Sequence, residues 1–223
     1  MEKPVIFLGP SLSHEKARKV FDADYRPPAK KGDFLRLAAD PNVRMVGFVD
    51  GVFLQDYPPT PIEVYQLARK EGVLLAGAAS LGALRAVELE KFGMVGIGKI
   101  FELYKTGRVD ADDEVAVTFA PEGDYRLQSE AMIDIRYNVF LARKKQVIGK
   151  KTKIALAKVA KETYFPHRNY AHIIEETKNR HPALAGEIDS FGGYIASNRK
   201  SRKEIDAMRL VEYLKERYES RTR

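Results

Sequence analysis

Three short apolar runs, each closed by residues that turn the chain, limit what this sequence can fold into. Val5-Ile6-Phe7-Leu8 leads into Gly9-Pro10-Ser11, Arg44-Met45-Val46-Gly47-Phe48-Val49 into Asp50-Gly51, and Val73-Leu74-Leu75-Ala76 into Gly77-Ala78-Ala79-Ser80. Continuous apolar runs of this length suit strands covered on both faces. Between them, residues 15–21, 33–39 and 61–70 carry helical spacing. The last segment has Thr60 as N-cap, Pro61 at the first helical position and Gly72 just past its end. A βαβαβα order predicts an α/β fold: a parallel sheet with flanking helices. Its three turn-rich strand ends then share the carboxyl edge, where open α/β sheets bind ligands. Residues 115–119 are expected to add a fourth strand.

Beyond Glu122 the spacing turns helical, over 129–145, 151–164, 170–179 and 203–218. Gly192-Gly193 and the basic run 199–203 are expected to interrupt these helices. The last helix carries an apolar stripe of Ile205, Met208, Val211, Tyr213, Leu214 and Tyr218, which predicts docking rather than free exposure. The expected organisation is an α/β core over 1–125 and a helical C-terminal region over 126–223 packed on it, within one domain or two. Charge divides along similar lines. Residues 1–140 hold 18 Lys and Arg against 21 Asp and Glu, and residues 141–223 hold 20 against 10, so the basic character belongs to the last third. That region suits an acidic protein partner, nucleic acid or solubility alone. Aromatic interleaving is modest and no helix-turn-helix pattern is present, so nucleic acid ranks last.

There is no cysteine, which removes thiolate catalysis, cysteine metal sites and any persulfide from these residues. His14, His167, His172 and His181 form no zinc-ligand pair. No metal and no cofactor are expected. No apolar run approaches the roughly 18–20 residues of a membrane span, and Met1-Glu2-Lys3-Pro4 does not open a secretory signal. A cytoplasmic setting is the expectation.

The sharpest local feature is Ala76-Gly77-Ala78-Ala79-Ser80-Leu81-Gly82-Ala83-Leu84-Arg85. Ser80 is flanked two residues away on each side by Ala78 and Gly82, small enough for the strand-to-helix turn of G-x-S-x-G elbows, with alanine for the first glycine. A helix starting at Leu81 or Gly82 directs free N–H groups and its positive end at the serine oxygen, an arrangement that holds an oxyanion or a carboxylate. Ser80 equally meets the requirements of a plain N-cap. Pattern alone leaves both roles open.

A serine nucleophile requires a base, and a neutral lysine substitutes for histidine where its pKa is lowered. Lys30 and Lys31 sit in Arg26-Pro27-Pro28-Ala29-Lys30-Lys31-Gly32-Asp33, a proline-stiffened loop after a short strand near Asp24-Tyr25, and Lys99 follows Gly96-Ile97-Gly98. Each also reads as an ordinary solvated lysine. Asp50, ending a central strand, is expected either to orient the lysine or to bond backbone amides of its own turn. Gly93 to Lys99 fits G-x-x-x-x-G-K literally. Ile100 supplies no hydroxyl for magnesium, however, and Gly93 reads as a helix terminator. The acids Asp112-Asp113-Glu114 read as metal ligands, as solvated charges or as a helix cap.

Seven motifs in order resemble the TfuA-like proteins: Gly9-Pro10-Ser11-Leu12-Ser13; Arg26-Pro27-Pro28-Ala29 with Gly32-Asp33; Val49-Asp50-Gly51-Val52-Phe53; Gly77 to Ala86; Gly93 to Gly98; Asp112 to Ala116; and Ser129-Glu130 followed by Ile135-Arg136. The resemblance covers about residues 5–140, with a faint echo at Asp206-Ala207. It implies a role beside YcaO enzymes, which activate a peptide amide so that sulfur replaces its oxygen. It further implies hydrolysis of the thiocarboxylated C-terminus of a ThiS-like carrier by a serine–lysine pair. Ser80 matches the serine, Lys30 or Lys31 is the first choice for the lysine and Lys99 the second. Ser11, Gly51, Leu81, Gly82 and Arg85 are the expected substrate-binding residues. Where many relatives carry His-Lys-Glu, this chain reads Pro61-Ile62-Glu63. The competing expectation is a non-catalytic adaptor docking YcaO or the carrier through Lys200, Arg202 and Lys203.

Overall fold

The computed structural model describes residues 2–53, 56–120, 123 and 125–222; Met1, part of the start read above, lies outside them. Five strands, β1 (Val5–Phe7), β2 (Asp24–Arg26), β3 (Met45–Phe48), β4 (Leu74–Ala78) and β5 (Val95–Ile97), form one sheet in the order β2-β1-β3-β4-β5. Every pairing is parallel. The helices in chain order are α1 (His14–Arg18), α2 (Asp33–Ala39), α3 (Pro61–Ala68), α4 (Leu81–Leu89), α5 (Gly98–Lys105), α6 (Met132–Lys144), α7 (Lys150–Glu162), α8 (Tyr170–Arg180), α9 (Ala185–Asn198) and α10 (Arg202–Thr222). None among the described residues is long and apolar enough to cross a membrane.

Contacts divide the chain into two compact units. The first holds Met1–Asp112, Pro121–Arg126 and Lys203–Arg223, and the second Asp113–Ala120 and Leu127–Arg202. In the first, side-chain alternation along the strands builds two layers. Ile6, Leu8, Ala76 and Ala78 share one buried cluster with Ala17 and Phe21 from the α1 region and Ala207, Leu210 and Leu214 from α10. The opposite face stacks Phe34 against Phe7 and Phe48, with ring centroids 5.3 and 4.8 Å apart. Gly47 admits α10 to the sheet: a β-carbon there would lie 2.7 Å from Leu214 Cδ1 and 2.8 Å from Leu210 Cδ2. Truncating either leucine is expected to cost about 2–5 kcal/mol.

Helix α3 starts where the sequence places it, because Thr60 and Glu63 form a capping box around Pro61. The expected strand over 115–119 is corrected: only Phe119 pairs, as a single antiparallel bridge to Leu127. The strand after β4 is instead Val95–Ile97, at the sheet's edge.

The second unit packs α6 to α9 around Met132, Ile135, Val139, Leu156, Val159, Ile173, Ile188 and Phe191. Gly192 and Gly193 do not interrupt a helix; they lie inside α9. Burial of Ile188, Phe191 and Ile195 on that helix outweighs the roughly 1 kcal/mol that each interior glycine costs. Asp112 is exposed, while Asp113 is half-buried and Glu114 buried, both held in ion pairs. Arg168, almost fully buried, donates to the Asp113 carboxylate at 2.8 Å and to its carbonyl at 2.9 Å. Lys161 pairs with Asp113, and Arg136 pairs with Glu114 in a two-pronged contact of 2.8 and 2.9 Å. Among the described residues no group of three or more His, Cys, Asp or Glu is placed to hold a metal.

Candidate active site

The strand order reverses between β1 and β3, the switch point at whose carboxyl ends open α/β sheets bind ligands. Asp50 follows β3 there. Its carboxylate is buried and accepts three hydrogen bonds from the turn after β1: Gly9 N–H at 2.9 Å, Ser11 N–H at 3.0 Å and Ser11 hydroxyl at 2.6 Å. Asp50 therefore bonds backbone amides, but those of the neighbouring strand's turn rather than its own. Ser11, expected to bind substrate, gives its hydroxyl to this clamp.

The next loop lies against the same edge. Ala29 N–H donates to the Asp50 carbonyl at 2.8 Å, and Val52 N–H to the Ala29 carbonyl at 2.9 Å. Pro28 packs where a β-carbon on Gly9 would stand. Buried Glu63, at the start of α3, accepts the Gly32 N–H at 2.6 Å and so ties this loop to the helix. Ile62 is 69% exposed and carries no titratable group.

Ser80 stands at the N-cap position of α4 yet does not cap it; its side chain bonds none of the helix N–H groups. Its own N–H donates to the Ala78 carbonyl at 2.8 Å, closing a three-residue turn around Ala79 at φ 64°. A turn of this hand is rare and strained for a residue with a β-carbon. Ala79 is held there by full burial. Ser80 is 8% exposed, and its hydroxyl has no hydrogen-bond partner among the described residues. A strained turn thus holds up a hydroxyl that bonds to none of the described residues, which the N-cap role alone does not explain.

Glycines fix the helix behind it. A β-carbon on Gly82 would overlap the Phe48 carbonyl oxygen and lie 2.5 Å from its carbon, and one on Gly77 would overlap the Gly82 carbonyl. Gly82 N–H consequently reaches the Val49 carbonyl at 3.2 Å, and Ala83 N–H bonds the Ser80 carbonyl at 2.9 Å. Of the N–H groups expected to be free at the helix start, Gly82's is thus engaged, which corrects part of that expectation. The Leu81 N–H has no partner among the described residues. It belongs to the residue after the serine, the position that supplies an oxyanion donor in serine elbows. The Leu81 side chain lies over Gly51, with Cδ2 2.5 Å from where a β-carbon would sit. Arg85, one turn along, forks to Glu88 at 2.9 Å through one nitrogen and leaves its buried Nε without a partner.

The three lysines expected as base are all exposed. Lys31 places its ammonium 5.7 Å from the Tyr57 ring centroid, and Lys99 pairs with Glu102 at 2.6 Å. The Lys30 ammonium has no partner among the described residues, while its backbone N–H bonds Asp33 at 2.7 Å. The G-x-x-x-x-G-K match dissolves: Gly93 ends a 3-10 turn, β5 fills the middle and Gly98 opens α5. Lys203, expected to dock a partner together with Lys200 and Arg202, is instead 3% exposed and is the one buried lysine among the described residues.

The model of the TfuA-like protein family matches residues 50–169, more than half of the chain. No curated protein matches it.

Proposed function

The chain belongs to the TfuA-like protein family, and from that premise we propose that it is a hydrolase releasing sulfide from the thiocarboxylated C-terminus of a ThiS-like carrier. The family carries an association with YcaO-type thioamidation; the enzymatic step, the carrier and the use of Ser80 are our reading. The observation that supports it is the turn at Ala79, which presents a hydroxyl without a partner among the described residues beside the uncommitted Leu81 N–H. Because these residues include no cysteine, sulfur must stay on the partner, as a carrier thioacid provides.

The chemistry follows from the groups at hand. Ser80 Oγ attacks the thioacid carbon while its proton passes to a neutral amine. The Leu81 N–H donates to the oxygen of the tetrahedral intermediate. The carbon–sulfur bond breaks, the amine returns its proton to sulfur, and sulfide departs, leaving the carrier esterified to Ser80. Water, deprotonated by the same amine, then attacks the ester; Oγ takes the proton back and the carrier leaves as a carboxylate. A flexible C-terminal tail suits a site on the open edge of a sheet. The sulfide released is the nucleophile a YcaO enzyme needs.

Ser80→Ala tests the reading. Sulfide release from thiocarboxylated carrier should fall by about 10³-fold or more while the variant melts as the parent does. Undiminished release would leave only an adaptor role.

A further inference from the structure

We infer that the outer face of the α6–α7 hairpin docks the enzyme that consumes the sulfide, which meets it with an acidic surface around an apolar centre. That the consumer is a YcaO-type enzyme rests on the hydrolase reading above.

From Ile135 to Lys161 the chain carries nine Lys and Arg and no acid. Two of the nine are spent within their own unit, Arg136 on Glu114 and Lys161 on Asp113 and Glu114. Lys158 reaches Glu162 at 3.9 Å. Lys144, Lys150 and Lys151 are exposed and pair with no acid among the described residues. The last two stand with Lys153 at the start of α7, whose first turn holds no acid, where the positive end of a helix opposes cations. Glu187 of α9 is the carboxylate at that end, and it is taken by the Gly149 N–H and the Thr152 hydroxyl, both at 2.5 Å. Folding alone gives no reason to gather lysines there.

The apolar centre follows from helical spacing. At about 100° per residue, the buried Thr152, Ala155, Leu156, Val159 and Ala160 occupy one side of α7. Ile154 falls opposite them, with Lys150 and Lys158 about 40° to either side and Lys151 about 60° away. Ile154 is 56% exposed, and Phe140 of α6 is 49% exposed. Lys153 Nζ lies 5.9 Å from the Phe140 ring centroid and so links the outer faces of the two helices.

An apolar centre within a charged rim is the anatomy of a protein interface. Ile154 has no use on a phosphate backbone, and the Phe140 ring that would stack on a base is met by Lys153 instead. A membrane surface requires a broad apolar face, and that of α7 is buried with Ile148, Ile173 and Phe191 in the core of the unit. The basic run first expected to dock a partner is committed elsewhere: Arg199 pairs with Glu130 at 2.7 Å, Arg202 stands over the Tyr137 ring and Lys203 is buried. Docking also answers a need of the reaction. Sulfide set free in bulk solution is diluted, whereas a consumer held on the same protein meets it at a concentration set by their separation.

The test measures binding of the full chain to purified YcaO enzyme, at low and at raised salt. Lys150→Glu with Lys151→Glu should weaken it by about 10²-fold, and Ile154→Ala by about tenfold. Glutamates suit a helix start, so the double variant should melt close to the parent and release sulfide from thiocarboxylated carrier within about threefold of its rate. Lys91→Glu with Arg108→Glu, the same charge change at exposed positions of the first unit, should bind within about threefold of the parent. Equal binding by the parent and the α7 double variant, equal weakening by the two double variants, or no binding by the parent overturns the docking and leaves the hydrolase reading standing. So does retention of the parent, but not of the α7 double variant, on duplex DNA or phosphatidylserine vesicles in place of YcaO enzyme. Undiminished sulfide release by Ser80→Ala overturns the hydrolase reading and is read independently of binding.

Discussion

Gly82→Ala separates two opposite expectations for the turn that presents Ser80. Helix propensity alone favours alanine over glycine by about 1 kcal/mol, so a freely exposed helix start would gain stability. Here the new methyl would overlap the Phe48 carbonyl oxygen, lie 2.5 Å from its carbon and 3.2 Å from Val49 nitrogen. These are atoms of β3 and its exit, which no side-chain rotation can clear. Either α4 or β3 must shift by more than an ångström. Overpacking of this kind costs about 1–3 kcal/mol and sometimes more. The Gly82 N–H bond to the Val49 carbonyl would be lost with it, at about 1 kcal/mol. The net expectation, with the propensity gain set against these losses, is a loss of about 1–3 kcal/mol, read from urea unfolding of parent and variant. Displacing α4 also displaces Ser80 and the Leu81 N–H, so fluorophosphonate labelling should slow by about 10²-fold, the scale of a misplaced catalytic group. A variant as stable as the parent and labelled at the same rate would refute the packing argument.

Asp50→Ala removes the acceptor of three hydrogen bonds from Gly9 and Ser11 and should cost about 3 kcal/mol or more in unfolding free energy, with Asp50→Asn recovering part of it. Arg168→Ala strips a buried guanidinium from Asp113 and from the Thr163 carbonyl and should destabilise the second unit by about 3–5 kcal/mol, seen as early loss of helical circular dichroism. Glu130 supplies a pH dependence. Burial pushes its carboxyl up to about 7; Arg199 pulls it down and Asp134 pushes it up. The folded state thus binds the proton more tightly than the unfolded state. That contribution is fully present below the ordinary glutamate value of 4.5 and is lost as pH rises through about 7. Glu130→Gln should remove a stability decline of about 1–3 kcal/mol over that interval, measured by urea midpoints at pH 5 and pH 8.

The parts of the fold legible in sequence are those whose signal is local. β1, β3 and β4 announce themselves as apolar runs with abrupt turns, and α3 by a cap whose partners lie three residues apart. β5 does not, because Gly96 at its centre and glycines on both flanks read as a loop; its pairing to β4 makes it a strand. Residues 115–119 mislead in the opposite sense. Four of the five are buried apolar residues, yet without a neighbouring strand burial produces no ladder. Gly192-Gly193 misleads because packing around Phe191 overrides propensity.

The site divides in the same way. Ser80 was legible as a serine between small residues at the end of a buried strand. Its failure to cap α4, and the strain at Ala79, depend on backbone angles that no residue pattern encodes. Asp50 was legible as a polar residue in a buried position, but its partners lie 39 and 41 residues away. Lys203 was hidden by company: it closes Arg199-Lys200-Ser201-Arg202-Lys203, where neighbours suggest a solvated patch. Only its distance of four and seven residues from Ala207 and Leu210 marks the buried face, and that stripe shows once α10 is seated on Gly47.

A trap for the acyl-enzyme reaches the central claim most directly. When thiocarboxylated carrier is turned over in the presence of hydroxylamine, the account predicts carrier hydroxamate, formed from an ester on Ser80, in step with sulfide and absent with Ser80→Ala. Sulfide appearing at the parent rate with no hydroxamate above the Ser80→Ala background would contradict it.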